Sequence, residues 1–150
     1  MALPVSTQIK DMLIERIEVL ESVQKVYPSS VINNSGWPAV AITAQSEEGE
    51  FSSNAENSRI YSFNATVLFP VGQDFVPEEE RERTDYAERV VAQVIEDVMN
   101  AVDKDYELDR GVVLFVNAAD VEWAYFEYEG GVARGANVIL NVYTELNVIT

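Results

Sequence analysis

Two stretches of the chain repeat their hydrophobic residues at the spacing of an amphipathic helix. The first runs from Thr7 to Glu21, and the second lies between Pro77 and Asp103. In each, the apolar positions fall on one face, which predicts a helix that packs against a core. The apolar positions are Ile9, Met12, Leu13, Ile17 and Leu20 in the first helix, and Ala87, Val90, Val91, Val94, Val98, Ala101 and Val102 in the second.

Several other stretches alternate apolar and polar residues, or are short apolar runs, as β-strands do. The clearest is Arg59–Val71, where Tyr61, Phe63, Ala65, Val67 and Phe69 share one face. The closing strands are separated by Gly130-Gly131, which predicts a hairpin. The other predicted strands are Val23–Tyr27, Trp37–Thr43, Val112–Val116, Val121–Glu129 and Ala136–Glu145.

Between the second and third strands the chain turns polar from Ala44 to Ser58. Glutamate, serine and asparagine dominate this stretch, and no hydrophobic period is visible. It is therefore predicted to be a long, mobile loop. Loops of this length are uncommon in compact domains and often carry function.

The order of elements is one helix, three strands, one helix and three strands. Two helices can cover one face of a sheet, so we expect an α+β fold. This is a two-layer sandwich with a mostly antiparallel sheet of five or six strands, in one domain spanning residues 1–150. In the last strand Ile139 and Tyr143 point away from Val138, Leu140 and Val142. The uncovered face is thus partly apolar, and we expect another subunit or the long loop to contact it.

Charge and composition narrow the possible chemistry. The chain holds 26 Asp plus Glu against 10 Lys plus Arg, with a formal net charge of −16 and no Cys or His. Binding along a phosphate backbone is therefore disfavoured, and thiolate, imidazole and ordinary zinc chemistry are excluded. Composition favours binding or assembly over catalysis. The acid excess is also compatible with adaptation to high salt or with a need for solubility.

Three local patterns resemble known sites but lack their full requirements. The glycines at 130, 131 and 135 precede a strand rather than a helix, so a hairpin turn is favoured over a phosphate loop. The acidic residues at 103, 105, 107 and 109 lack the glycine and closing glutamate of a calcium loop. Glu47, Glu48 and Glu50 are expected to be exposed, which does not separate their pKa values for acid–base work. We therefore expect no catalytic residue, metal or cofactor.

An aromatic run, Trp123, Tyr125, Phe126 and Tyr128, lies between glutamates on a predicted strand. Aromatic residues on a strand belong either to a core or to an interface. The beginning of the chain shows no signal peptide, and no apolar stretch reaches the length of a membrane span. We therefore expect the protein in the cytoplasm or in a particle assembled there.

The chain resembles the tail terminator proteins of long-tailed phages, which are small α+β proteins that form hexameric rings. The resemblance rests on the order of elements across most of the chain. It includes the first helix, Val26-Tyr27-Pro28, Trp37-Pro38-Ala39-Val40, the strand from Tyr61 to Phe69, the valine-rich helix and Val138-Ile139-Leu140-Asn141-Val142. Neck and tail-completion proteins of similar size share this order of elements.

The resemblance implies a virion structural protein, in which six copies close on the finished tail tube. The ring ends tube polymerisation and provides the surface that docks the head. Its implied partners are other copies of the chain, the tube protein and a head-completion or neck protein, and DNA passes through the lumen without specific binding. Candidates for tube contact are Glu47, Glu48, Glu50, Phe51 and Asn54; candidates for subunit contact are Trp123, Tyr125, Tyr128, Arg134, Ile139 and Tyr143.

Two functions from other classes stay open. An acidic inhibitor or immunity protein could imitate nucleic acid for a basic partner, and the net charge suits it equally well. A carboxylate-based enzyme is the third possibility. Native mass separates the first two, because the terminator forms a ring and the inhibitor is a monomer that binds a basic protein.

Overall fold

The computed structural model describes residues 4–29, 36–51, 56–71, 80–104, 113–128 and 131–147. Two helices and a five-stranded sheet make up the fold, so the predicted α+β class is confirmed. The elements in chain order are α1 (Val5–Glu18), β1 (Lys25–Tyr27), β2 (Ala39–Phe51), β3 (Glu56–Pro70), α2 (Glu80–Lys104), β4 (Val113–Tyr128) and β5 (Gly131–Asn147).

The strands are ordered β1-β2-β3-β5-β4 across the sheet. β1 pairs with β2 in parallel, and every other neighbouring pair is antiparallel. β3 and β5 lie in the middle and pair along nearly their whole lengths, from Glu56 with Asn147 to Pro70 with Ala133. β1 and β4 are therefore the outer strands of the sheet.

Both helices pack on one face of this sheet, as the hydrophobic pattern predicts. α1 buries Ile9, Leu13 and Ile17 completely, and each contributes about 1.5–3 kcal/mol by leaving water. α2 contributes Ala87, Val91, Val94, Val98 and Val102 to the same core, and the sheet contributes Val40, Ile42, Phe63, Ala65, Val67, Ala136, Val138, Leu140 and Val142. Neither helix, within the residues described, is long and apolar enough to cross a membrane.

The predicted loop from Ala44 to Ser58 is wrong over most of its length. Residues 44–51 continue β2 and residues 56–58 begin β3, with Phe51 paired to Asn57. Residues 44–47 are all exposed, so no buried side marked the strand in the sequence. Polar residues stay paired here because the backbone ladder needs no hydrophobic face.

The expected break between Val116 and Val121 is also absent. One strand, β4, runs through both predicted strands. Its pairing with β5 shifts register twice, between Val113 and Phe115 and between Ala118 and Val121. Such irregularities absorb extra residues without ending a strand. The predicted closing hairpin is present, and Gly131 takes a φ of 141°, a value that favours glycine.

Candidate functional site

The face of the sheet opposite the helices has an aromatic cluster at one end. Trp37 meets Tyr128 edge to face, with ring centroids 4.9 Å apart. Trp37 also packs on the buried Tyr27, Ala39 and Ala41. Burial raises the pKa of the Tyr128 phenol above its ordinary value of 10.0.

Gly135 allows close packing in the middle of the same face. A Cβ at this position would lie 2.5 Å from the Val67 carbonyl oxygen, 2.6 Å from Leu68 Cδ2 and 2.9 Å from Phe126 Cδ2. Leu68 and Phe126 therefore close over the bare backbone of β5. Leu68 is only 1% exposed although it lies on the side without helices. This end of the face is an apolar surface that packs on itself.

The centre of the same face is a ladder of hydroxyl and amide side chains. Ser62 Oγ donates to Asn141 Oδ1 at 2.6 Å, and Thr66 Oγ1 donates to Asn137 Oδ1 at the same distance. Ile139 lies between the two asparagines and is partly buried. The cross-strand bonds join β3 to β5 and leave a flat polar band.

The far end of the face carries a second aromatic pair. Phe115 and Tyr143 stack with centroids 4.3 Å apart and ring planes 17° from parallel. They are direct partners across β4 and β5. Phe115 stays 40% exposed. We name Phe115, Ile139 and Tyr143 the free-face patch, because they are large side chains on this face that are exposed or only partly buried and lie away from Trp37.

A different cluster lies on the opposite side of the sheet, the side that carries the helices. Arg134 Nη2 donates to Glu88 Oε1 of α2 at 2.8 Å, and its side chain is 14% exposed. The guanidinium carbon lies 4.6 Å from the Tyr125 ring centroid and 5.1 Å from that of Trp123. Such cation–π contacts are worth about 0.5–2 kcal/mol, depending on desolvation. Tyr125 is 59% exposed and Trp123 39% exposed.

The six predicted subunit-contact residues therefore separate into two groups. Tyr128, Ile139 and Tyr143 lie on the face without helices. Trp123, Tyr125 and Arg134 lie together at β4 on the helix side. No sequence pattern links Arg134 to Glu88, because the two are distant in the chain. It also missed Phe115, which only the register with Tyr143 connects to the patch.

Four of the predicted tube-contact residues lie in β2. Glu47 pairs with Tyr61, Glu48 with Ile60, Glu50 with Ser58 and Phe51 with Asn57. Asn54 lies outside the described residues. These four thus belong to the outer end of a long β-hairpin rather than to a loop, and what they contact stays a prediction.

A cleft of about 670 Å³ opens between the carboxyl ends of α1 and α2. Its lining includes the apolar Val19, Leu20 and Ala101 and the cations Arg16 and Lys104. The Asp97 carboxylate there accepts hydrogen bonds from Ser22 Oγ at 2.6 Å and Gln93 Nε2 at 3.0 Å. In the described part of the chain, no cluster of three or more acidic side chains is placed to hold a metal ion.

No protein-family model matches the chain, and a search of curated proteins found no significant match.

Proposed function

We propose that this protein is a ring-forming virion component that caps the tail tube of a long-tailed phage. The observation that carries the proposal is the free-face patch. Phe115 and Tyr143 stack on the face of the sheet without helices, and Ile139 is partly exposed on the same face. The opposite face packs against α1 and α2. Surfaces of this kind in small proteins mark sites of protein contact.

Ring closure needs two different surfaces on each subunit, since a head-to-tail contact repeats around an axis. The free-face patch supplies one of them. The cleft between the helix ends supplies a second on the opposite side, where Val19 is 74% exposed and Leu20 is partly buried. In this arrangement the patch of one subunit packs into the cleft of the next.

The extended β2–β3 hairpin fits contact with the tube. Its outer part holds Glu47, Glu48, Glu50 and Phe51 in paired strands rather than in a loop. A paired hairpin loses little conformational entropy on binding, which favours a defined contact with a repeating tube surface. The net charge of −16 suits a lumen that DNA passes without sticking.

Electron microscopy of the purified chain mixed with tail tubes tests this proposal. Rings bound at one end of each tube are the expected result, with tubes that no longer grow when tube protein is added. Binding along the tube walls, or no binding at a large excess of the chain, would contradict it.

The net charge also favours one other function. A chain with a net charge of −16 could act as an acidic inhibitor that occupies the nucleic-acid site of a basic protein. That protein would work as a monomer and would lose affinity steeply as salt screens its charges. A monomer that binds basic proteins and ignores tail tubes would favour this second function over the ring.

A further inference from the structure

The outer edge of β4 differs between its two halves. β4 is the last strand of the sheet, and no described strand pairs with its outer side. In the first half the register with β5 shifts twice before Val121. From Val121 to Tyr128 the pairing is continuous, residue by residue. The second half is therefore a regular edge whose outward N–H and C=O groups can accept another strand.

Charged side chains protect the second half of this edge from pairing with another copy of the chain. Register shifts bend an edge away from new partners, and the second half has none. It carries Glu122 and Glu127 instead, and both are exposed. These carboxylates, in a chain of net charge −16, repel a second copy of the same strand. The same charges attract a strand of the opposite sign.

We propose that the edge of β4 from Val121 to Tyr128 binds an extended, lysine- or arginine-bearing segment of another protein. The segment adds to the sheet as a sixth strand. Backbone hydrogen bonds along the edge supply the affinity, and the two glutamates select basic side chains over acidic ones. This partner is additional to the subunits and tube contacts of the ring.

The side chains around the edge match such a segment. The register places Glu122 beside Asn137 on the free face and Glu127 beside Val132 on the helix side. A bound strand therefore meets one carboxylate on each face, five residues apart. Between them, Trp123 and Tyr125 are 39% and 59% exposed on the helix side and are available to the side chains of a bound strand. Arg134, held by Glu88, supports both rings from beneath.

A labelled peptide tests the proposal directly. The probe is a fluorescein-tagged peptide of about ten threonines and valines with two lysines about five positions apart, one for each face of a strand. We expect saturable binding by anisotropy and slower hydrogen exchange at the outward amides of residues 121–128. A peptide with glutamate in place of lysine should not bind. Absence of binding by the lysine peptide, or equal binding of both peptides, would overturn the proposal.

Charge reversal on the protein gives the matched comparison. The double variant E122K/E127K should weaken binding of the lysine peptide by about tenfold or more and should gain binding of the glutamate peptide. The control E18K/E96K makes the same charge change at exposed positions on the two helices and should keep most of the affinity. Equal losses in both variants would show attraction to net charge alone and would overturn the proposal.

Backbone pairing needs its own control. Two further lysine peptides carry N-methyl groups on one or the other set of alternate amides. Only one set faces β4 in a paired strand, so one methylated peptide should lose binding and the other should retain it. If both bind as well as the parent peptide, the segment is not added to the sheet and the proposal fails.

Discussion

Gly135 is the residue on which the packing of the free face depends most closely. Gly135→Ala would place a Cβ 2.5 Å from the backbone oxygen of Val67, which cannot move without breaking the sheet. We expect the free energy of unfolding in urea to fall by about 1–3 kcal/mol. Gly36→Ala is the comparison, because its Cβ would lie 3.0 Å from Gln24 Cγ and 3.2 Å from Lys25 Cβ, with no backbone oxygen in the way, so we expect a smaller loss. Equal effects of the two substitutions would contradict the packing described.

Tyr128 gives the free face a dependence on pH. Burial raises the pKa of its phenol, so the folded chain holds this proton more tightly than the unfolded chain. Its contribution to stability is therefore lost as pH rises above about 10. Tyr128→Phe keeps the ring against Trp37 and removes the titrating group. Between pH 9 and 11 the unfolding free energy of the natural chain should fall more than that of the variant; parallel curves would show that Tyr128 does not titrate differently on folding.

At the scale of elements, α1 is held by three side chains that are completely buried, Ile9, Leu13 and Ile17. Leu13→Ala removes the middle one and leaves a cavity, so we expect a loss of about 2–5 kcal/mol in the free energy of unfolding. Val19→Ala is the control at a position that is 74% exposed, where the expected change is within about 0.5 kcal/mol. Calorimetry or urea unfolding measures both. Similar losses would mean that α1 does not pack on the sheet through Leu13.

The helices and strands that could be predicted from the sequence are those with one buried side. α1, α2, β3 and β5 each bury one side, and burial on one side leaves a period in the sequence. The outer part of β2 has no helix above it and is exposed on both faces at residues 44–47, so its pattern carried no period. The sequence predicts two strands in place of β4, because the register shifts interrupt the alternation around Ala118.

The sequence predicts which residues belong to the candidate site but not how they are arranged in space. Exposed aromatic residues in strands pointed to contact surfaces, and Ile139 and Tyr143 do lie on the face without helices. The division of the candidates into two clusters depends on strand register and on a distant partner, Glu88 of α2. A single sequence does not record contacts between residues so far apart.

At the scale of the whole molecule, the net charge would oppose the proposed assembly through the free-face patch. Subunits with a net charge of −16 repel one another at low salt. Screening at about 0.5 M salt shortens the range of that repulsion to a few ångströms. We therefore expect self-association to strengthen between about 10 mM and 500 mM salt. Sedimentation velocity across this range measures it. Weaker association at higher salt would indicate contacts made by ion pairs rather than by the patch.

Tyr143→Glu tests the patch within the assembly. A carboxylate placed at the stacked Phe115–Tyr143 pair would be buried in a subunit contact and should abolish association. Ala92→Glu makes the same charge change at an exposed position on α2 and should leave association intact. Circular dichroism confirms that both variants fold. A Tyr143→Glu variant that still assembles would place the subunit contact elsewhere.

The native mass of the purified chain, measured by light scattering behind size exclusion at high protein concentration and about 0.5 M salt, tests the central claim most directly. The account predicts one closed species with about six times the 16.8 kDa mass of the chain. A particle of 16.8 kDa that stays single at every concentration, with or without tail tubes, would contradict it.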